Sequence, residues 1–167
     1  MSEVIIDTNI PLVAGGYSDM PDSCRESCIQ LIDEIIENKH IVIIDNIYKI
    51  IGEYENKIQY ISEVNYARQF LKWVYTNQGN DTRIRSVELT EIAENEYEEF
   101  PDEIEDFDHS DRKFVAVAIA NDYKAPIYQA SDSKWIGWEQ SLNEVGVQVV
   151  FLCKKSLAEK FRKKMNR

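Results

Sequence analysis

The sequence predicts an α/β protein in which a central parallel sheet of about five strands lies between two layers of helices. Short runs rich in Val and Ile recur along the 167 residues, and longer segments with helical spacing separate them. This alternation is typical of parallel strands joined by crossover helices. The length suits one domain with a buried core and is too short for two domains of typical size. We therefore expect a single three-layer α/β/α sandwich.

Five apolar runs define the predicted strands. They are residues 4–6, 41–44, 83–89, 127–130 and 147–152. The first run ends abruptly in Asp7, Thr8 and Asn9, polar residues that favour turns and so close a strand. The composition is 44% hydrophobic and 29% charged, which is ordinary for globular proteins and excludes a largely disordered chain.

Three of the intervening segments show helical periodicity. In residues 47–58 and 61–75 the apolar positions recur every three or four residues, which places them on one side of a helix. The residues expected to face inward are Ile47, Ile50, Ile51, Tyr54 and Ile58 in the first segment, and Val64, Ala67, Phe70, Leu71 and Val74 in the second. Residues 110–122 form the third, with Ser110 as the expected cap and small alanines suited to packing on a sheet. Asp45 ends the second strand and is expected to cap the helix that follows.

Charge is distributed unevenly along the chain. The net charge of −11 argues against broad electrostatic attraction to nucleic acid. Residues 154–167 hold seven basic residues and one acidic, a net charge of +6, so the rest of the chain carries −17. We predict a basic C-terminal helix or tail there, which is either solvated or guides RNA. Residues 88–108 contain eleven acids and no Lys or Arg, which indicates a solvated segment, a partner-binding surface or a self-inhibiting one.

The cysteines and the absence of membrane signals bear on the compartment. Cys24, Cys28 and Cys153 have neither CxxC spacing nor a histidine pair to complete a zinc site, so we expect reduced thiols in or near the core. No apolar stretch approaches the ~20 residues that span a bilayer. The N-terminus also lacks a signal-peptide pattern. We therefore expect a cytoplasmic protein that does not associate with a membrane.

Four acids are expected to meet at one edge of the predicted sheet. Asp7 follows the first strand and Asp132 the fourth, while Glu53 and Asp111 lie on the helices after the second and third. In open α/β sheets, functional groups gather at the carboxyl ends of the strands. Several carboxylates in a partly dry site are costly unless a cation neutralises them. An all-carboxylate pocket favours Mg²⁺ or Mn²⁺, which suit phosphodiester hydrolysis because they activate a water.

Each of these acids also has a simpler interpretation. Asp7 and Asp132 are turn-favouring residues that follow strands. Asp111 is favoured at the start of a helix by the helix dipole, and another acid lies one turn before it. Glu53 is compatible with a solvated helix face. Convergence of all four on one place is what separates the metal site from these alternatives.

Four motifs occur in order along the chain, namely VIIDTN, IIGEYE, HSDRKFVAVAIA and QASDSKW. As an ordered set they resemble the motifs of PIN-domain nucleases, including VapC-like toxin ribonucleases. The resemblance covers nearly the whole chain and implies a PIN-like domain over residues 1–153, with 154–167 as part of the same domain. It implies Asp7, Glu53, Asp111 and Asp132 as catalytic and metal-binding acids, with Thr8, Asn9 and Ser131 as polar supports. Ser131 stands where the family usually has glycine, and Lys134 replaces a frequent second aspartate.

The resemblance implies a metal-dependent endoribonuclease that leaves 5′-phosphate and 3′-hydroxyl products. In the same way it implies a toxin held in check by a small antitoxin protein, and a homodimer. One alternative is a catalytically silent module that binds protein or RNA through its acidic surface. Another is a phosphohydrolase that acts on small phosphates. Trp135 and Trp138, which follow Asp132 closely, either pack in the core or stack an unpaired base of the RNA.

Overall fold

The computed structural model describes all residues from 1 to 167 and confirms the predicted fold class. Five parallel strands form the central sheet, and two short antiparallel strands form a separate hairpin. In chain order the strands are β1 (Ser2–Ile6), β2 (His40–Asp45), β3 (Ile84–Val87), β4 (Glu91–Ala93), β5 (Glu96–Tyr97), β6 (Ile127–Gln129) and β7 (Val149–Phe151). All five predicted runs are strands of the central sheet, with ends that differ by a few residues from the prediction.

Seven α-helices flank the sheet. They are α1 (Asn9–Ala14), α2 (Asp22–Ile36), α3 (Lys49–Ile58), α4 (Tyr66–Asn77), α5 (Arg112–Ala120), α6 (Lys134–Glu144) and α7 (Lys154–Met165). Single 3₁₀ turns cover Asp102–Ile104 and His109–Asp111. None of the helices combines the length and the apolar character that a membrane crossing needs.

The strand order of the sheet is β3-β2-β1-β6-β7. Val4 of β1 pairs with Val42 of β2 on one side, and Ile6 pairs with Tyr128 of β6 on the other. The order therefore reverses at β1, where the chain leaves one half of the sheet for the other. Open α/β sheets bind ligands in the crevice beyond the carboxyl ends of the strands at such a reversal. In this fold, the crevice lies where β1 and β6 end.

The core forms around β1 and α5. Val4, Ile5 and Ile6 are fully buried, as expected for a central strand that is covered on both faces. Helix α5 contacts β1, β2 and β6, and its small alanines Ala116 and Ala118 are buried against the sheet. The predicted role of those alanines in close packing is confirmed. This contact fixes the start of α5 beside the end of β1.

The start of α3 differs from the prediction, although its capping residue does not. Asp45 accepts hydrogen bonds from the backbone N–H groups of Ile47, Lys49 and Ile50 at 2.8–3.0 Å, so its expected role as a cap is confirmed. Tyr48 adopts a left-handed conformation with φ 66° and separates Ile47 from the helix. Ile47 is 39% exposed for this reason, and its predicted place on the buried stripe is wrong. The other four residues of that stripe are buried.

Two further details of the helix predictions are wrong. Helix α4 begins at Tyr66, because the side chain of Asn65 accepts from the N–H groups of Ala67 and Arg68 and so sets the start. Val64 therefore lies outside the helix and is 90% exposed. Ser110 does not cap α5: it donates both its N–H and its hydroxyl to Asp108, and it lies within the 3₁₀ turn that precedes the helix.

The expectation that all three cysteines are reduced is wrong. Cys24 in α2 and Cys153 before α7 form a disulfide bond, with their Cα atoms 5.3 Å apart. Cys28 is a buried free thiol, and burial raises its pKa to about 12. The two bonded cysteines are 129 residues apart in sequence, so no local spacing could reveal the pair. The bond ties the start of the basic tail to the second helix.

The two charged segments have different structures. The acidic segment, residues 88–108, forms the β4–β5 hairpin and a 3₁₀ turn, with its acids mostly outward and five apolar side chains buried. The five are Leu89, Tyr97, Phe100, Ile104 and Phe107. The basic tail is helix α7, which packs on α6 through buried Leu157. Met165, at the end of this helix, is exposed.

Candidate metal centre

A polar pocket of about 430 Å³ lies at the carboxyl edge of the sheet. Its thirteen lining residues include no hydrophobic side chain. All seven residues expected from the sequence line it, namely Asp7, Thr8, Asn9, Glu53, Asp111, Ser131 and Asp132. The elements that carry them are the ends of β1 and β6, helix α3 and the start of α5. The fold thus brings together acids from four separate segments, as the sequence predicts.

Asp7 is the most deeply buried of the four acids. It is 3% exposed and accepts a hydrogen bond from the backbone N–H of Asn9 at 2.9 Å. Burial and the neighbouring carboxylates, chiefly Asp111, raise the pKa of Asp7 to about 8. An exposed turn residue would show neither the burial nor the shift, so the simple turn interpretation does not account for Asp7.

Asp111 and Asp132 line the same pocket. Burial, followed by the charges of Asp132 and Asp108, raises the pKa of Asp111 to about 6. Asp132 follows β6 and accepts from the backbone N–H of Lys134 at 3.1 Å. Because β1 and β6 are neighbours in the sheet, Asp7 and Asp132 flank the crevice at which the strand order reverses.

Glu53 is held by partners on both of its carboxylate oxygens. Thr8 donates its hydroxyl to Oε2, which is the supporting role expected of that residue. Lys113 places its Nζ 2.9 Å from Oε1. The neighbouring residue Tyr54 donates its hydroxyl to the backbone carbonyl of Ile6, which ties α3 to the end of β1. Two contacts to Glu53 and one from Tyr54 therefore hold this part of α3 beside the end of β1.

Asn9 has two different contacts in the site: its backbone N–H donates to Asp7, and its side chain bonds to Gln129. Its side-chain amide donates to Oε1 of Gln129 at 3.3 Å and contacts none of the four acids. Gln129 is fully buried at the end of β6, and its Nε2 has no hydrogen-bond partner. The pair joins the start of α1 to the end of β6. Sequence reasoning missed Gln129, although an amide in an otherwise apolar run, IYQA, is an available signal.

Four lysines, together with Asp108 and Ser110, form the rest of the pocket wall. Lys57, Lys134, Lys160 and Lys164 line it together with the acids, and the last two come from α7. Lys160 Nζ lies 3.2 Å from the backbone carbonyl of Ser131, so the basic helix leans over the loop after β6. That carbonyl contact is the role that the structure shows for Ser131. Sequence reasoning identified the basic tail as a whole and not the two lysines that reach the site.

The donor set of the pocket fits a hard divalent cation. Carboxylate oxygens are the ligands that Mg²⁺ and Mn²⁺ prefer. Burial, and after it repulsion between the acids, raises the pKa values of Asp7 and Asp111, and a bound cation would relieve both effects. No three of these acids place ligand oxygens within 4.8 Å of one another; the only trio that close is Cys24, Cys28 and Cys153, where two sulfurs are already bonded. Mg²⁺ commonly keeps several waters, which can bridge such wider spacing.

The two tryptophans after Asp132 belong to the core. Trp135 is 1% exposed, and its ring meets Phe107 edge-on with centroids 5.1 Å apart. Trp138 is half-buried and meets the same ring at 5.5 Å. Packing is therefore the correct interpretation for Trp135, because a buried indole cannot stack on an RNA base.

Fold and site together define a three-layer α/β/α protein with an acidic pocket at the reversal point of its sheet. Comparison of the chain with protein-family models, with curated proteins and with solved structures finds no match. The pocket is therefore the feature of the molecule that indicates its function.

Proposed function

We propose that this protein is a metal-dependent endoribonuclease of the PIN class that hydrolyses RNA phosphodiester bonds. The observation that carries the proposal is the wholly polar pocket at the sheet reversal, in which four acids from separate segments meet and lysines complete the wall. Acids alone would favour any hard cation. A pocket lined by both acids and lysines favours a cation together with a polyanion, because the carboxylates then pair with the cation and the lysines pair with the phosphates.

Asp7, Asp111 and Asp132 would hold Mg²⁺ or Mn²⁺ in this pocket, with Glu53 beside them. When bound, the ion would lower the pKa of a water and stabilise negative charge on the phosphate oxygens. Asp7 would need to lose its proton to act as a ligand, and its raised pKa means that proton and metal compete for it. Neither histidine lines the pocket, so the chain supplies carboxylates as its proton-accepting groups there.

The lysines would position the substrate. Lys160 and Lys164 project from α7 to the pocket, and Lys57 reaches it from α3. Ammonium groups bind phosphate as point charges without selecting a base, so this wall suits the backbone of a polynucleotide. A small phosphate would need only one or two of them. Their spread over two helices favours RNA over the phosphohydrolase alternative.

Cleavage of an end-labelled, mixed-sequence RNA tests the proposal. We expect cutting in Mg²⁺ or Mn²⁺, none in chelator, and none with Asp7→Asn, whereas the exposed control Asp33→Asn should cut as wild type does. Products should carry 5′-phosphate and 3′-hydroxyl ends. Equal cutting by wild type and Asp7→Asn would contradict the proposed site, and absence of cutting in every metal would contradict the activity.

A second candidate is a silent PIN-like module that binds a partner through its acidic surface. It is favoured by a pocket of about 380 Å³ on the acidic segment, lined by Phe100, Arg112 and several of the acids. A basic partner chain would suit that surface. This candidate would be favoured if wild type and Asp7→Asn both bound such a partner and neither cut RNA.

The toxin role, the antitoxin partner and the homodimer stay predictions. Expression of the wild-type chain should arrest cell growth if it is a toxin, and Asp7→Asn should relieve the arrest. Harmless expression of protein that cuts RNA in vitro would contradict the toxin role and leave the nuclease proposal intact.

A further inference from the structure

Lys113 is a buried cation directly behind the acidic pocket. Only 8% of its side chain is exposed, and the side chain is absent from the residues that line the pocket. Its Nζ contacts Glu53 Oε1 at 2.9 Å, donates to the backbone carbonyl of Ser110, and lies 5.3 Å from the ring centroid of Phe114. A lysine is rarely buried to this degree unless it is paired. Here the pair is with one of the four acids, and it approaches that acid from the protein interior.

Each oxygen of Glu53 therefore has a partner without a metal. Lys113 takes Oε1 and the Thr8 hydroxyl takes Oε2. Thr8 is itself buried, at 2% exposure, so its hydroxyl has little freedom to turn away. Asp111 has no such partners, and Asp7 and Asp132 each accept one hydrogen bond from the backbone. The four acids are thus unequal: three have free oxygens that face the pocket, and the fourth is already paired.

We propose that Lys113 is a built-in cation that locks Glu53 as a positioning residue, so that the centre binds a single divalent ion through Asp7, Asp111 and Asp132, directly or through waters that the ion retains. This inference rests on the proposed metal-dependent function. Removing Glu53 from Lys113 would leave a buried ammonium unpaired, which is strongly unfavourable. Glu53 therefore remains with Lys113 when the ion enters. Glu53 is thus a fixed carboxylate whose charge Lys113 already neutralises, and it holds Thr8 beside Asp7.

The inference predicts an unusual response to loss of Lys113. Lys113→Met keeps the length and apolar stem of the side chain and removes its charge. Glu53 is then free to turn toward the ion, and a nearby positive charge that opposes the ion is gone. Metal binding should become tighter by about 10-fold, whereas loss of a merely structural lysine would weaken it or leave it unchanged.

Calorimetric and electron-paramagnetic-resonance titration with Mn²⁺ tests the proposal without any RNA. Wild type should bind one ion. Asp7→Asn should lose measurable binding. Glu53→Gln should still bind one ion, with an affinity roughly 10-fold lower, as is typical when a residue that supports a metal ligand is changed. Lys113→Met should tighten binding, and the double variant Lys113→Met/Glu53→Gln should not, because the gain depends on the freed carboxylate.

Lys134→Met is the matched control. Lys134 also lines the pocket, but its side chain is exposed and pairs with Asp108 at 3.4 Å. Its loss therefore removes one positive charge without freeing Glu53. Circular dichroism establishes that each variant is folded; if Lys113→Met does not fold, wild type, Glu53→Gln and Asp7→Asn still decide the matter.

The outcomes separate the two proposals. Two ions in wild type, loss of the ion in Glu53→Gln, or equal tightening by Lys134→Met would each overturn the role given to Lys113 and Glu53 and leave a metal centre in place. Failure of wild type to bind Mn²⁺ at millimolar concentration would instead overturn the metal-dependent function on which this inference rests.

Discussion

At the scale of single residues, the buried carboxyl of Asp7 makes the stability of the metal-free protein depend on pH. This carboxyl is buried beside three other acids, and its pKa is raised to about 8 from an ordinary value near 4. The folded, metal-free protein therefore binds a proton over a pH range in which the unfolded chain has lost it. Stability must depend on pH in the direction opposite to that of an acid in a favourable ion pair.

The first prediction concerns this pH dependence. Below about pH 4 both states are protonated and Asp7 imposes no penalty. As pH rises from about 4 to 8 the unfolded state ionises first, so the metal-free protein loses stability, by roughly 6 kcal/mol at most at 1.36 kcal/mol per pKa unit. Asp7→Asn should thus be more stable than wild type at pH 8 in chelator, and the difference should vanish near pH 4.

Urea denaturation at several pH values measures the effect, with Asp33→Asn as an exposed control that should follow wild type. An Asp7→Asn variant that is less stable than wild type at pH 8 would show that the carboxylate is stabilised by partners that the pocket does not contain.

At the scale of elements, the residues of the basic helix α7 have two different roles. Leu157 anchors it in the core, and Lys160 and Lys164 reach the acidic pocket. Removing the whole helix would expose the core and confuse the two roles. Charge substitutions on its surface separate them, because they leave the anchor in place.

The second prediction is that Lys160→Gln/Lys164→Gln weakens binding of single-stranded RNA and flattens its salt dependence. Each phosphate contact on a single strand contributes about 0.7 to the slope of log affinity against log salt, so the slope should fall by roughly 1.4. Lys155→Gln/Arg162→Gln removes the same charge from the same helix at positions that do not line the pocket.

Filter binding across a salt series, with the inactive Asp7→Asn background to prevent cleavage, gives both slopes. Equal losses of RNA affinity in the two double variants would contradict this prediction. They would mean that α7 attracts RNA by its overall charge and that the two pocket lysines have no special role in binding.

At the scale of the whole molecule, the disulfide bond joins α2 to the start of α7 and closes most of the chain into one loop. Cys24 and Cys153 are 129 residues apart. A cross-link over so long a loop restricts the unfolded chain strongly, by about 4–5 kcal/mol in the chain-entropy account. The bond thus stabilises the fold and also holds the helix that completes the pocket.

The third prediction follows from this cross-link. Cys24→Ser/Cys153→Ser should lower the free energy of unfolding by roughly 2–5 kcal/mol. Reductant should lower the stability of wild type by a similar amount and leave the double variant unchanged. Cys28→Ala, which removes a buried thiol but no cross-link, should keep the response to reductant. Thermal unfolding with and without reductant decides this, and a wild type that is indifferent to reductant would contradict it.

What the sequence could predict follows from the range of each interaction. The five strands and the stripe of α3 depend on local apolar periodicity, and Asp7, Glu53, Asp111 and Asp132 follow from topology once the strands are placed. Lys113 and the disulfide depend on contacts between distant segments, for which one sequence holds no local pattern. Ile47 and Val64 were misplaced because the left-handed Tyr48 and the cap at Asn65 shift the helix starts.

The central claim is that the acids at the sheet reversal gather around a divalent cation, and the location of bound Mn²⁺ tests it most directly. Crystals grown with Mn²⁺ should give an anomalous scattering peak among Asp7, Asp111 and Asp132, with Glu53 still paired to Lys113. A map with no peak in that pocket at saturating Mn²⁺, or with its only peak among the cysteines, would contradict the claim.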